Sequence, residues 1–324
     1  MRAWQVTRLG EPVDVMELAD VPTPAPGPGQ ILVRVLAVAL NFPDALMCRG
    51  QYQVRPPLPF TPGVELCGEV VTAGDGFAVG QRVIGTPAAT SGALADYALM
   101  DTADTFPAPD VLDDARAAAF HIGYQTAWFA LHRRAGLRAG ETLLVHAASG
   151  GVGSAAVELG LAAGAYVIGV VGGPDKVRVA HDLGVDLVID RHAGDFVFQV
   201  KEATGGRGAD VVFDPVGGSA FERSTKCVAF EGRIVVVGFA SGVIPSQAMS
   251  HVLIKNYSVL GLHWGLYRQQ DPDAVREAHR ELTKLAEAEL ARPLIGERIS
   301  FDQAAEGIAR LAAGDTVGRV VVTP

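Results

Sequence analysis

Cysteine is scarce in this sequence: Cys48, Cys67 and Cys227 are the only three in 324 residues. Odd in number and far apart, they make no disulfide framework and fit a reduced, cytoplasmic compartment. The paired CxxC spacing of a structural zinc is missing, so each cysteine reads as a small buried apolar residue. Basic residues are outnumbered, 27 Lys and Arg against 36 Asp and Glu, giving a net charge of -9. That balance argues against sequence-independent binding to nucleic acid or to an anionic membrane surface. No uninterrupted apolar run approaches the ~20 residues of a membrane span. The opening MRAWQVTRLGEPVD carries charges and no apolar h-region, so it does not read as a signal peptide. The eight histidines form no HxxxH or HExxH cluster. Internal repeats and low-complexity segments are also missing.

With 49% hydrophobic residues and 38 glycines, the chain reads as a globular α/β protein of two domains. The first ~120 residues are strands and turns: a proline- and glycine-rich loop at Pro22–Gln30, then ILVRVLAVALN, VELCGEVVTAGDG and GQRVIGT. From about Ala117 apolar strands alternate with amphipathic helices. TLLVHA, AYVIGVV, VDLVID, ADVVFD and GRIVVVG are five strands of a parallel sheet with helices on both faces, and Ser258–Leu262 is a candidate sixth. DAVREAHRELTKLAEAEL is a long helix. The tail reads strand, helix, strand; too short for a domain, it is expected to rejoin the first one.

LLVHAASGGVGSAAVELG, Leu143 to Gly160, nearly spells the dinucleotide fingerprint G-x-G-x-x-G, with Ala148 in the first glycine position. Gly150 and Gly153 take the second and third roles, and Gly151 adds slack beside the phosphates. A turn of this kind after a strand and before a helix offers backbone N–H groups and a positive dipole end to a pyrophosphate. Cofactor contacts are expected from Ala148, Ser149, Gly150, Gly151, Val152 and Gly153. An NAD site usually carries an acid at the end of its second strand, to bind the ribose hydroxyls. Here that strand ends in Gly172-Gly173, which opens the site to the 2′-phosphate of NADP(H). Lys176 and Arg191 are the candidate cations; a solvated surface role is the alternative for each. Asp175 suits the first turn of a helix.

LNFPDALMCRGQY, PPLPFTPGVELCGEV, VGQRVIG, HAASGGVG, GADVVFDPVGG and GRIVVVGFASG, in this order along nearly the whole chain, resemble the zinc-free medium-chain dehydrogenase/reductases of the quinone oxidoreductase (zeta-crystallin-like) type. The resemblance implies a six-stranded, doubly wound Rossmann domain, 121–262, that binds NADPH. It also implies a β-rich GroES-like catalytic domain, 1–120 with 263–324, and a homodimer. Alcohol-dehydrogenase relatives have Cys where Asn41 stands and His where Val64 stands, and neither Asn nor Val supplies the thiolate or imidazole that zinc prefers. Without a Lewis acid the substrate must already be electron-poor, a quinone or an α,β-unsaturated carbonyl, and the enolate formed needs a hydrogen-bond or proton donor.

The segment NFPDALMCRGQY resembles the one that carries a proton-donating tyrosine in enoyl-thioester reductases, which maps onto Tyr52. Lining the substrate pocket is the other reading of that residue. Asn41 is a candidate hydrogen-bond partner of substrate or nicotinamide ribose, or else forms an Asx turn before Pro43. Asp44 reads as a helix cap or an orienting neighbour. Thr126 is placed beside the nicotinamide, with a structural threonine as the alternative, and Gly238 and Phe239 bring backbone amides near the carboxamide. Trp264 and Tyr267 pack the core or wall the substrate pocket. Arg191 stands where relatives have a tyrosine by the adenosine phosphate. Two other functions stay open: reduction of an enoyl thioester, and a low-turnover NADPH-binding protein with a redox-sensing or structural role.

Overall fold

The computed structural model describes residues 1–89 and 91–323. The chain divides into two compact units, Met1–Ile122 with Arg292–Pro324, and Gly123–Ala291. The second unit holds a six-stranded sheet, ordered Leu187–Asp190, Tyr166–Val171, Thr142–His146, Ala209–Asp214, Val228–Val236 and Ser258–Gly261. Every neighbouring pair is parallel. Apolar runs such as Leu143–Val145 are buried on both faces, as parallel strands under two helical layers must be. Helices Gly151–Ala162, Pro174–Asp182, Phe196–Ala203 and Gly218–Cys227 connect the strands. Leu144, Ile168, Ile189, Val212, Phe221 and Ile234 share one of the cores that result. The strand order reverses between Thr142–His146 and Ala209–Asp214, which creates the crevice where open α/β sheets bind ligands. This is the doubly wound Rossmann sheet that the alternation implied, and Ser258–Gly261 is its sixth strand.

The first unit is built on a largely antiparallel sheet around the long strand Gln30–Ala39. That strand pairs with Leu66–Thr72 and Tyr97–Asp101, and at its far end with Arg319–Thr323. The tail therefore rejoins the first unit: Val321 and Val322 lie opposite Ala39 and Val38.

The division between units differs from the expected one. Residues 263–291, expected with the β-rich domain, belong to the Rossmann unit. The helix Pro272–Glu287 is held there by Gln125 Nε2 donating to the Val275 carbonyl (3.0 Å) and Trp128 Nε1 donating to Glu281 (2.9 Å). Trp264 and Tyr267 fall on the helix Trp264–Gln270 of this unit. Trp264 is buried, and the Tyr267 ring packs against Phe129 with centroids 4.3 Å apart and planes tilted by 41°, so both pack. No helix among the described residues is long and apolar enough to cross a membrane.

Candidate functional site

In the Rossmann unit the glycine turn follows the fully buried strand Thr142–His146. The chain reverses at Ala147, whose φ is 52°. Gly150 N then donates to the Ala147 carbonyl (2.8 Å), and the helix opens with Ser154 N on Gly150 O. The strain of the missing first glycine thus falls on Ala147, one residue before the position read from the sequence. Ala148 is fully buried, its methyl so close to strand Tyr166–Val171 that a Cβ on Gly169 would lie 2.9 Å away. Gly153 is indispensable, because a Cβ there would sit 2.0 Å from the Ala147 carbonyl oxygen. The N–H groups of Gly151, Val152 and Gly153 belong to the first helical turn and have no carbonyl one turn back, so they are available to an anion.

A left-handed alanine costs about 1–2 kcal/mol, partly offset by the extra unfolded-state freedom of glycine. Ala147→Gly should therefore stabilise the protein by about 0.5 kcal/mol, seen as a higher urea midpoint. An unchanged or lower midpoint would show that residue 147 carries no strain.

Beneath the turn, His146 is buried and its Nε2 lies 2.7 Å from Ser224 Oγ. That hydroxyl donates to the Ala220 carbonyl, so it accepts from the ring and fixes the Nε2–H tautomer. Burial pushes the imidazole down to about 4, and at neutral pH it is an uncharged packing group. Asp214, also buried, accepts from Val216 N (2.9 Å) and Gly217 N (3.0 Å) and shapes the turn after its strand. Gly238 and Phe239 lie just past the end of the adjacent strand. The neighbouring amides Val237 N and Ala240 N are bonded to Asp214 O and Pro215 O. Thr126 is buried on the helix His121–Trp128.

At the end of the second strand, Gly172 and Arg191 meet. A Cβ on Gly172 would lie 2.7 Å from Arg191 Nε, so glycine is what lets the guanidinium cross the end of the second strand. Lys176 is half-buried in the first turn of Pro174–Asp182. Of the two nearby acids, Asp175 pairs with Arg178 at 2.9 Å. Asp190 turns back to accept from Gly173 N (3.0 Å) and His192 N (2.9 Å), bonds that lower its pKa. A glycine-lined turn, an open helix N-terminus and two cations beyond the second strand fit a dinucleotide bearing an extra phosphate.

In the first unit, Asn41 precedes the helix Phe42–Cys48. Asp44 caps that helix by accepting from Asn41 N (2.8 Å) and also holds Gly63 N (3.0 Å). Burial raises its carboxyl to about 6, against the lowering effect of those N–H bonds and of Arg319. The Asn41 side chain is engaged inside the protein. Its Nδ2 donates to the Ala39 carbonyl (3.0 Å) and to Glu65 (2.9 Å), and its Oδ1 accepts from Arg319 Nη1 (3.0 Å). These bonds tie Asn41, at the start of that helix, to the buried Glu65–Arg319 pair. Arg319 also pairs with Glu65, and Glu65 accepts from Ile122 N (2.6 Å). Arg319 and Glu65 are both buried. The sequence reading passed over Arg319; its one signal was a charge opening an otherwise apolar strand, RVVVT. Tyr52 is half-buried against the core of this unit, and burial, with the charge of Asp44, raises its phenol above the ordinary range. Its hydroxyl is consequently protonated, a donor, at neutral pH.

Asn41 and Val64 stand where zinc-dependent relatives would hold metal, and their side chains do not fit it. The Asn41 amide and the neighbouring Glu65 carboxylate are joined by a guanidinium, which would repel a dication, and among the described residues no group of three His, Cys, Asp or Glu is placed to hold a metal.

Two family models match the chain: an alcohol dehydrogenase GroES-like domain over residues 27–110 and a zinc-binding dehydrogenase over residues 151–284. A quinone oxidoreductase-like protein 2 homolog of Nematostella vectensis is 35% identical over 99% of this chain and 88% of its own length. The quinone oxidoreductase of Rattus norvegicus is 30% identical over 94% and 92%. A mycobacterial structure complexed with NADPH superposes with a TM-score of 0.92 at 29% identity, covering all of both chains. The chain belongs to the medium-chain dehydrogenase/reductase family and is an oxidoreductase of its quinone oxidoreductase type.

Proposed function

We propose that the protein reduces quinones or α,β-unsaturated carbonyls with NADPH, without zinc, and works as a cytoplasmic homodimer. The observation that carries the cofactor is Arg191 crossing Gly172 where an NAD site would place an acid. Lys176 adds a second cation, and the Ala147–Gly153 turn with the N–H groups of Gly151, Val152 and Gly153 would hold the pyrophosphate. NADPH supplies a hydride when bound. Tyr52, protonated at neutral pH, offers the hydrogen bond or proton that an enolate product requires. Asp44, Glu65 and Arg319 position the segment that carries it. The dimer is supported by Ser258–Gly261, a strand at the edge of the sheet, with Met249, Leu253 and Ile254 exposed on the preceding helix. An open edge beside an apolar patch favours self-association. Three buried cysteines, none in a disulfide, suit a reducing compartment.

The decisive measurement is the affinity of NADPH against NADH in the same titration. NADPH should bind more tightly, and Lys176→Ala should narrow the gap by about 10- to 150-fold, the worth of one charge-assisted bond. Equal affinities in the unmodified protein would overturn the assignment.

A further inference from the structure

Three residues beyond Tyr52 the same loop carries Arg55, which lines a pocket of about 290 Å³ in the first unit together with Leu9, Met47, Gly50, Pro56 and Leu58. Apart from the arginine every wall is apolar. Leu9, Val54 and Leu58 are 56%, 56% and 44% exposed, so one short loop and its neighbour leave three large apolar side chains in water. Pro56, Pro57 and Pro59 fix φ along the loop, so little entropy is lost if a ligand orders it further. Gly50, with φ of 65°, lets the loop close on Leu9; a Cβ there would meet Leu9 Cδ1 at 2.7 Å.

The charges around the pocket are unevenly satisfied. Arg49 pairs with Glu11 at 2.7 Å, and Arg8 donates to the Asp14 carbonyl at 2.7 Å. Arg55 is exposed and, among the described residues, has no hydrogen bond or ion pair. A guanidinium is a fork of donors suited to a carboxylate or phosphate. Placed at the rim of an apolar pocket, it selects for a ligand that is apolar along its length and anionic at one end.

We propose that this pocket receives the tail of the substrate: an apolar chain or ring of about ten heavy atoms ending in a single anionic group such as a carboxylate. The inference rests on the reduction proposed above, because the segment that carries Tyr52 also supplies Gly50 and Arg55 to the pocket wall. The electron-poor head is the reacting part, and the tail sets which quinone or enone is taken.

Octanoate, 1-octanol and octylammonium, which share a chain and differ only in the end group, test this by calorimetric titration without cofactor. Octanoate should bind about 5- to 10-fold tighter than octanol, a factor suited to an exposed charge pair. Arg55→Gln should erase that difference, and Arg55→Glu should turn it in favour of octylammonium. Octanoate should also raise the KM for a quinone while leaving kcat unchanged. The inference is overturned by equal binding of octanoate and octanol, by a preference that survives in Arg55→Gln, or by octanoate binding that does not compete with quinone. Equal affinities for NADPH and NADH would instead sink the cofactor assignment and leave the charge preference of this pocket intact, so the two failures are separable.

Discussion

Arg319→Met should destabilise the protein by about 3–5 kcal/mol, the usual cost of removing one partner of a buried ion pair. Met reproduces the aliphatic stem of the side chain, so the guanidinium end and its charge are what is removed. Without the guanidinium, Glu65 is a buried carboxylate that, among the described residues, keeps Asn41 Nδ2 and Ile122 N as donors, and Asn41 Oδ1 loses the Arg319 bond. Asp44 sharpens the pH dependence. Its carboxyl is already raised to about 6 by burial, and Arg319 is one of the groups opposing that rise. A carboxyl whose folded pKa exceeds its unfolded value of ~3.9 favours the fold at low pH and loses that contribution as pH climbs through the folded pKa. Removing Arg319 raises it further, so the deficit of Arg319→Met should be larger at pH 8 than at pH 5. Denaturant titrations at both values measure it. Adding Glu65→Gln to Arg319→Met should recover a large part of the loss, because the unpaired charge goes with it. A single variant within 1 kcal/mol of the parent at pH 8 would mean that water enters and the pair is not buried in solution.

Tyr52→Phe should lower enone reduction by about 10² or more if the phenol is the acid. The variant keeps the ring and its packing against the core of the first unit, so it removes one hydroxyl and little else. Quinone reduction, whose product takes protons on exposed oxygens, should fall less, and the ratio of the two activities is the informative quantity. The phenol donates only while protonated, and burial moves it upward. The enone activity of the parent should therefore persist through neutral pH and decline only above the ordinary phenol range, ~10. An enone rate unchanged by the substitution would leave Tyr52 as pocket lining and water as the proton source.

The Rossmann sheet was legible because each of its strands is a continuous apolar run between helices, a pattern that nearest neighbours in sequence generate. The end of that unit was not. What assigns Pro272–Glu287 to it is hydrogen bonding to Gln125 and Trp128, some 150 positions earlier, and no local pattern carries such a pairing. The glycine turn was read with Gly150 and Gly153 in their fingerprint roles, but the strain at Ala147 was not foreseen. A fingerprint records which side chains are small, whereas the left-handed backbone falls on Ala147, just outside it. The cations beyond the second strand were visible from residue type alone, but the contact of Arg191 with Gly172 was not. Asn41 was read either as a partner of substrate or nicotinamide ribose or as an Asx turn, and neither reading named the Glu65 and Arg319 that engage its amide. The partner in that set lies 278 positions away along the chain.

That same separation orders events during synthesis. A ribosome delivers the chain from its N-terminus, and residues 123–291 emerge as an uninterrupted stretch with all six of their strands. The nucleotide-binding half can mature while the rest is still being made. Glu65 and Asn41 must wait for residue 319, roughly 250 residues after their own translation, before the guanidinium reaches them. During that interval the nascent β-rich half keeps the edge later filled by Arg319–Thr323 open, the kind of unpaired edge that invites misassembly.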